Sequence, residues 1–114
     1  MKLGHVQLPV SDPLKSLQFY TEVLSFDLVD NQGDRFIWLQ LGSLRLLLCP
    51  GERSTAAPLE GGINVVFYTH DLAGDVERLH GRGLETQKIG NCFHFQDLDG
   101  HWFQLVSPSD DHST

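Results

Sequence analysis

The chain opens on an alternation. Across residues 3–10, Val6, Leu8 and Val10 fall on one side and His5, Gln7 and Pro9 on the other, the period of two that marks a strand with one apolar face. Ser11 or Asp12 supplies a helix cap, and Pro13 suits the first helical position. Leu14, Leu17, Tyr20 or Thr21, and Leu24 then recur at helical spacing. Residues 26–30 predict a second strand and 31–34 a turn. Two more strands follow at 35–41 and 44–49, joined by a tight turn at Gly42 and Ser43. Residues 50–62 carry two prolines and three glycines among small and polar residues, the composition of a linker.

After the linker the pattern restarts. Residues 63–69 predict a strand, Asp71 a cap, and 72–80 a helix with Leu72, Val76 and Leu79 on one face. Gly81 and Gly83 end that helix. Strands follow at 84–89, 92–96 and 102–107, the last two joined by a turn at 97–100. Residues 109–114 form a polar tail expected to fray. His5 and Asp12 in the first half correspond to Asn64 and Asp71 in the second, each pair separated by 59 positions (64 − 5 and 71 − 12). Each half therefore reads βαβββ, and neither alone covers both faces of its sheet, so the two must assemble. The predicted fold class is α+β. Two βαβββ modules, about 3–49 and 63–108 with linker 50–62, form a curved mixed sheet around a cup, with the helices on the outer face. At 114 residues, one domain spanning 1–114 is the expectation.

Alternation also sorts the strand residues by face. The face left free of helices carries His5, Gln7, Trp38, Gln40, Arg45 and Leu47 in the first module. In the second it carries Asn64, Tyr68, His94, Gln96, Trp102 and Gln104. Aromatics mixed with amides do not suit a closed core, because buried amides cost free energy unless paired. They suit a concave site with apolar walls and a few polar anchors. The plainer alternative is a solvated sheet face or a dimer contact.

Charge narrows the choice of partner. Eight basic and 15 acidic residues give a formal net charge of −7, the wrong sign for binding nucleic acid. An acidic surface serves solubility, or favours a cationic ligand. Cys49 and Cys92 form no C-x-x-C pair, so two reduced thiols are expected rather than a disulfide framework. No apolar run reaches the roughly 20 residues that span a bilayer, and the N-terminus lacks a secretory apolar stretch. The expectations are a cytoplasmic location and no membrane partner.

The two modules, the opening Gly4-His5-Val6 with Val10-Ser11-Asp12, and the late run Phe93-His94-Phe95-Gln96-Asp97-Leu98-Asp99-Gly100-His101-Trp102 resemble the vicinal oxygen chelate superfamily. That group includes glyoxalase I, bleomycin-resistance proteins, fosfomycin-resistance enzymes and extradiol dioxygenases. The resemblance covers roughly residues 3–108 and speaks for fold more than for reaction. It implies four strand-borne metal-ligand positions, which fall on His5, Leu47, Asn64 and Gln104. Only His5 is a good ligand for a divalent ion. Leu47 offers no donor, and Asn64 and Gln104 offer neutral carbonyl oxygens, whereas zinc and iron sites need several nitrogen or charged-oxygen donors. The expectation is no metal and no cofactor, with a divalent metal as the lesser alternative. The resemblance also implies a homodimer, and places His94 where fosfomycin-resistance relatives carry a tyrosine beside their substrate.

The remaining candidates each have a plain reading. His5 and His94 are candidate acid–base groups, or hydrogen-bonded wall residues. Arg45 clamps an anion, or is a surface arginine. Trp38, Tyr68 and Trp102 stack on a planar ligand, or pack. Asp97 and Asp99 resemble a fragment of a calcium loop but lack its remaining ligands, so a hairpin turn explains them better. The function expected is a metal-independent small-molecule binding protein that sequesters an antibiotic or metabolite. Ligand contacts would come from His5, Gln7, Trp38, Gln40, Arg45, Leu47, Asn64, Tyr68, His94, Trp102 and Gln104. The alternatives are a metal-dependent glyoxalase-like lyase or isomerase, a dioxygenase-like enzyme, and a non-catalytic dimerisation module.

Overall fold

A computed structural model of the chain describes residues 1–53, 55, 57 and 62–111. The chain divides into two compact units, Met1–Ser54 and Thr55–Thr114. In the first, strand β1 (Val6–Val10) leads into helix α1 (Pro13–Glu22), followed by β2 (Asp27–Gln32), β3 (Phe36–Leu41) and β4 (Leu44–Pro50). The second repeats the programme with β5 (Val65–Tyr68), α2 (Leu72–Gly81), β6 (Gln87–Ile89), β7 (Cys92–Gln96) and β8 (Trp102–Val106), then adds a short helix α3 (Pro108–Asp111). The eight strands form two separate four-stranded mixed sheets, ordered β1-β4-β3-β2 and β5-β8-β7-β6. In each the first strand pairs parallel with the last, and the other pairings are antiparallel.

Local chemistry explains the element boundaries. The Asp12 carboxylate accepts from the Lys15 amide at 3.2 Å, and Pro13 occupies the first turn. Asp71 repeats the cap on the Gly74 amide at 3.1 Å. A Cβ at position 74 would meet the Asp71 carboxylate oxygen at 2.2 Å, so glycine lets the cap close over this turn. The β2–β3 hairpin turns on Gly33 and Asp34, with φ of 64° and 59°, the double left-handed geometry of a type I′ turn. Asn31 braces it by accepting from the Asp34 amide at 2.9 Å.

In the first unit Val10, Ile37, Leu39, Leu46 and Leu48 are fully buried, together with Tyr20 of α1, and Phe19 is buried beside them. The helix face differs from the expected one: Leu14 is 48% exposed, while Ser16, Phe19 and Tyr20 are buried. The helix also stops at Glu22 rather than Leu24, and its end is closed by the Phe26 amide donating to the Tyr20 carbonyl at 2.9 Å. Edge strand β2 is exposed throughout and bulges between Leu28 and Asp30. In the second unit Phe67, Phe95 and Phe103 stack nearly parallel, with ring centroids 5.4–6.4 Å apart, and α2 buries Val76 and Leu79.

Other expected boundaries move as well: β2 covers Asp27–Gln32 rather than 26–30, and β5 covers Val65–Tyr68 rather than 63–69. The first strand begins at Val6 rather than Leu3. Strand β6 is confined to Gln87–Ile89, because the Leu84 amide is held by the Leu79 carbonyl at the end of α2. The tail expected to fray from residue 109 instead makes a helical turn through Asp111, and residues 112–114 lie outside the described residues. Part of the 50–62 linker also lies outside them, and Pro50 is the last residue of β4. No described helix is long and apolar enough to cross a membrane.

Candidate functional site

Cross-strand pairing places candidate residues in rows. In the second module Gln87 of β6 faces His94 of β7, His94 faces Gln104 of β8, and Gln104 lies beside Val66 of β5. A histidine thus stands between two amides on one sheet face, with Gln96 and Trp102 paired in the adjoining row. Beside them lies a cavity of about 450 Å³. Its walls come from residues 83–87, between α2 and the start of β6, from residues 94–97 of β7 and its turn, and from Trp102.

His94 is the unusual wall residue. It is 2% exposed, and its Nδ1 is buried with no hydrogen-bond partner. Burial pushes its pKa down, which keeps the imidazole neutral at pH 7. A buried polar atom without a partner costs free energy, and native structures hold few of them, so each calls for an explanation. The turn beside it is tightly specified. The buried Asp97 carboxylate accepts from the amides of Asp99 at 2.9 Å and His101 at 2.8 Å, and the Asp97 amide donates to the His101 carbonyl at 3.0 Å. These bonds use the Asp97 carboxylate to close the hairpin, in line with the turn reading of Asp97 and Asp99.

In the first module His5 sits just before β1. Its ring meets Trp38 edge-on with centroids 4.6 Å apart, and its Nε2 lies 3.2 Å from Gln7 Nε2. Arg45 is exposed and donates to Gln40 Oε1 at 3.3 Å, while Gln40 Nε2 donates to the Gly42 carbonyl at 3.0 Å. Both side chains thereby brace the β3–β4 turn. Leu47 is 7% exposed and lies between Gln7 and Trp38 in the sheet. Asn64 precedes β5, and its Oδ1 is a second buried acceptor without a partner. Tyr68 is 53% exposed.

The sites expected from sequence thus fall into groups. His5, Gln7, Trp38 and Leu47 come together on the first module, and Gln40 with Arg45 beside them. On the second, His94, Trp102 and Gln104 come together, and His94 and Trp102 line the cavity. Sequence reasoning left Thr86, Gln87 and Gln96 out of the site. Gln96 carries the same alternation as His94 and was within reach of it. Thr86 and Gln87 fall in a stretch expected to be a longer strand, 84–89, from which no site residue is drawn.

The register supports treating Leu47 and Gln104 as equivalent positions. Leu47 lies beside Gln7 of β1 as Gln104 lies beside Val66 of β5, and Gln7 and Val66 are 59 positions apart. The donor set at the four family metal positions is therefore one imidazole, two neutral amides and a hydrocarbon. That chemistry does not fit a divalent zinc, iron or manganese centre. Among the described residues no three His, Cys, Asp or Glu side chains cluster at metal-binding distance.

The chain matches the family described as the Glyoxalase/Bleomycin resistance protein/Dioxygenase superfamily over residues 2–105. It is 28% identical to the uncharacterized protein YetH of Bacillus subtilis, across 91% of this chain and 96% of that one. Among solved structures it superposes on the fosfomycin resistance protein FosX of Listeria monocytogenes with a TM-score of 0.75 and 19% identity, covering 93% of this chain and 90% of the other. The lactoylglutathione lyase of Agrobacterium tumefaciens matches with a TM-score of 0.72 and 15% identity, covering 94% and 93%.

Proposed function

The chain belongs to the Glyoxalase/Bleomycin resistance protein/Dioxygenase superfamily, and from that premise we propose that it binds a small organic molecule without the help of a divalent metal, sequestering an antibiotic or metabolite. The observation that carries this reading is the neutral, buried His94, which lines a 450 Å³ cavity and whose Nδ1 has no hydrogen-bond partner. A ligand hydrogen bond to this imidazole would recover part of its desolvation cost. The cavity falls within the size range of small-molecule sites. Gln87, Gln96 and Trp102 offer the polar anchors and the stacking face that such sites use. Ligand contacts from the first module, at His5, Gln7, Trp38, Gln40, Arg45 and Leu47, belong to the same proposal, as do a cytoplasmic location and a homodimeric state.

A second reading is a metal-dependent enzyme. FosX of Listeria monocytogenes has been crystallised with Mn(II) and sulfate ion, and this observation favours it. Against it stands the donor chemistry at His5, Leu47, Asn64 and Gln104. Metal analysis of natively purified protein separates the two. The binding reading expects metal well below one equivalent after dialysis against a chelator, with an unchanged melting temperature. Stoichiometric manganese, zinc, nickel or iron, retained through dialysis and lost on His5→Ala, would reverse it.

A further inference from the structure

The residues around the cavity beside His94 are of one sign where they are charged. They include the acidic residues Glu85 and Asp97 and no lysine or arginine among the described residues. The residues outside the description add none, since positions 54, 56, 58–61 and 112–114 contain neither residue type. Two of the cations nearest in sequence are engaged elsewhere. Lys88 pairs across the sheet with Phe93, not with His94, and its ammonium lies 5.9 Å from the Phe93 ring centroid. Arg78 is bonded to Asp75 and bridges to Asp71 at 3.8 Å. Arg82, the C-cap of α2, makes the smallest contribution to the lowered Asp75 pKa.

Gly83 and Leu84 follow the Arg82 C-cap of α2, whose last turn carries Arg78 and His80. His94 adds no positive charge of its own, because burial holds it neutral at pH 7. His94 and Trp102 both line the cavity, and Trp102 supplies an aromatic face for a planar or cationic group.

Resting on the small-molecule reading above, we propose that this cavity selects a planar aromatic ligand carrying a cationic N–H donor, and discriminates against anionic ligands such as carboxylates, phosphonates and sulfates. The lining residues Glu85, Gln87 and Gln96 carry acceptor oxygens. Cationic donors that would hold an anion are absent from the described lining. The ligand's charged nitrogen meets the negative wall, and its ring lies against Trp102.

Benzamidine, benzamide and benzoate share a ring and differ in charge, so they test the inference directly. Each is titrated to about 10 mM, a range that detects millimolar binding, against the isotope-labelled full chain, following the Trp102 indole and His94 imidazole resonances. Benzamidine is expected to shift both and to bind at least roughly tenfold more tightly than benzoate. Glu85→Gln is expected to narrow the advantage of benzamidine over benzamide by roughly threefold, and a retained amide spectrum shows that the variant folds. Benzoate binding as tightly as benzamidine, with shifts at Trp102 and His94, would overturn the charge inference and leave the small-molecule reading standing. So would an unchanged advantage in Glu85→Gln. If none of the three compounds shifts either resonance, the inference and the cavity as a ligand site fail together.

Discussion

His94 stands directly opposite Gln104 across the antiparallel pairing of β7 and β8, yet its Nδ1 is buried without a hydrogen-bond partner. Burial lowers the His94 pKa from the ordinary value of 6.5, so between the two values the folded chain binds fewer protons than the unfolded chain. Stability therefore rises with pH across that interval and is lost as pH falls below about 6.5. His94→Leu removes both the orphaned nitrogen and this penalty. Urea unfolding is expected to show the variant at least as stable as the parent at about pH 7.5, with its advantage growing towards about pH 5.5. A loss of more than about 2 kcal/mol at neutral pH would show that the imidazole is a satisfied core group instead.

Thr69 ties the end of β5 to the start of α2. Its hydroxyl donates to the Asp75 carboxylate and accepts from the Asp71 amide at 3.0 Å. The Thr69 bond, and secondarily Arg78, lowers the Asp75 pKa below 3.8. A depressed carboxyl contributes stability above its unfolded value and loses it as pH falls through the folded one. Thr69→Val is expected to cost about 1 kcal/mol at neutral pH, with the deficit shrinking in acid. Denaturant titrations at neutral and acidic pH check this, and an equal deficit at every pH would contradict it.

The three stacked rings of the second module predict a steep packing dependence. Phe103 is fully buried against both Phe67 and Phe95, so Phe103→Ala is expected to lose about 3–5 kcal/mol. Phe36, an exposed residue of β3, serves as the contrast, and Phe36→Ala is expected to change stability by about 0.5 kcal/mol or less. Comparable losses in calorimetry would show that Phe36 is covered by something in solution.

The hairpin at Asp97 separates a structural carboxylate from a metal ligand. Asp97→Ala strands two amide donors and is expected to cost about 2 kcal/mol, while Asp97→Asn keeps an acceptor oxygen and costs less. Calcium at about 1 mM is expected to leave the melting temperature of the parent unchanged. A calcium-dependent rise abolished by Asp97→Asn would assign the turn to ion binding.

Much of this architecture was legible before any coordinates. Asp12 and Asp71 both cap helices, as their spacing predicts, because a carboxylate before an apolar period satisfies the same free amides wherever it occurs. The helix face was less legible. Leu14, Leu17, Phe19 and Tyr20 spread apolar side chains over much of α1, and only packing against its own sheet decides that Phe19 and Tyr20 go in and Leu14 stays out. The candidate site divides in the same way. His94 and Trp102 were reachable by alternation, whereas Thr86 and Gln87 were not, since the end of α2 shortens β6 by drawing in Leu84.

The order of residues along the chain determined the repeat, the caps and the strand faces, since each depends on side-chain identity at short range or on a fixed period. Tertiary structure alone decided that residues 83–87 meet 94–97 and Trp102 around a hollow, and that the imidazole of His94 is shut away from water. Those outcomes depend on which backbones pair and where a helix ends, and the free energy of desolvating a side chain exists only once its neighbours have closed around it.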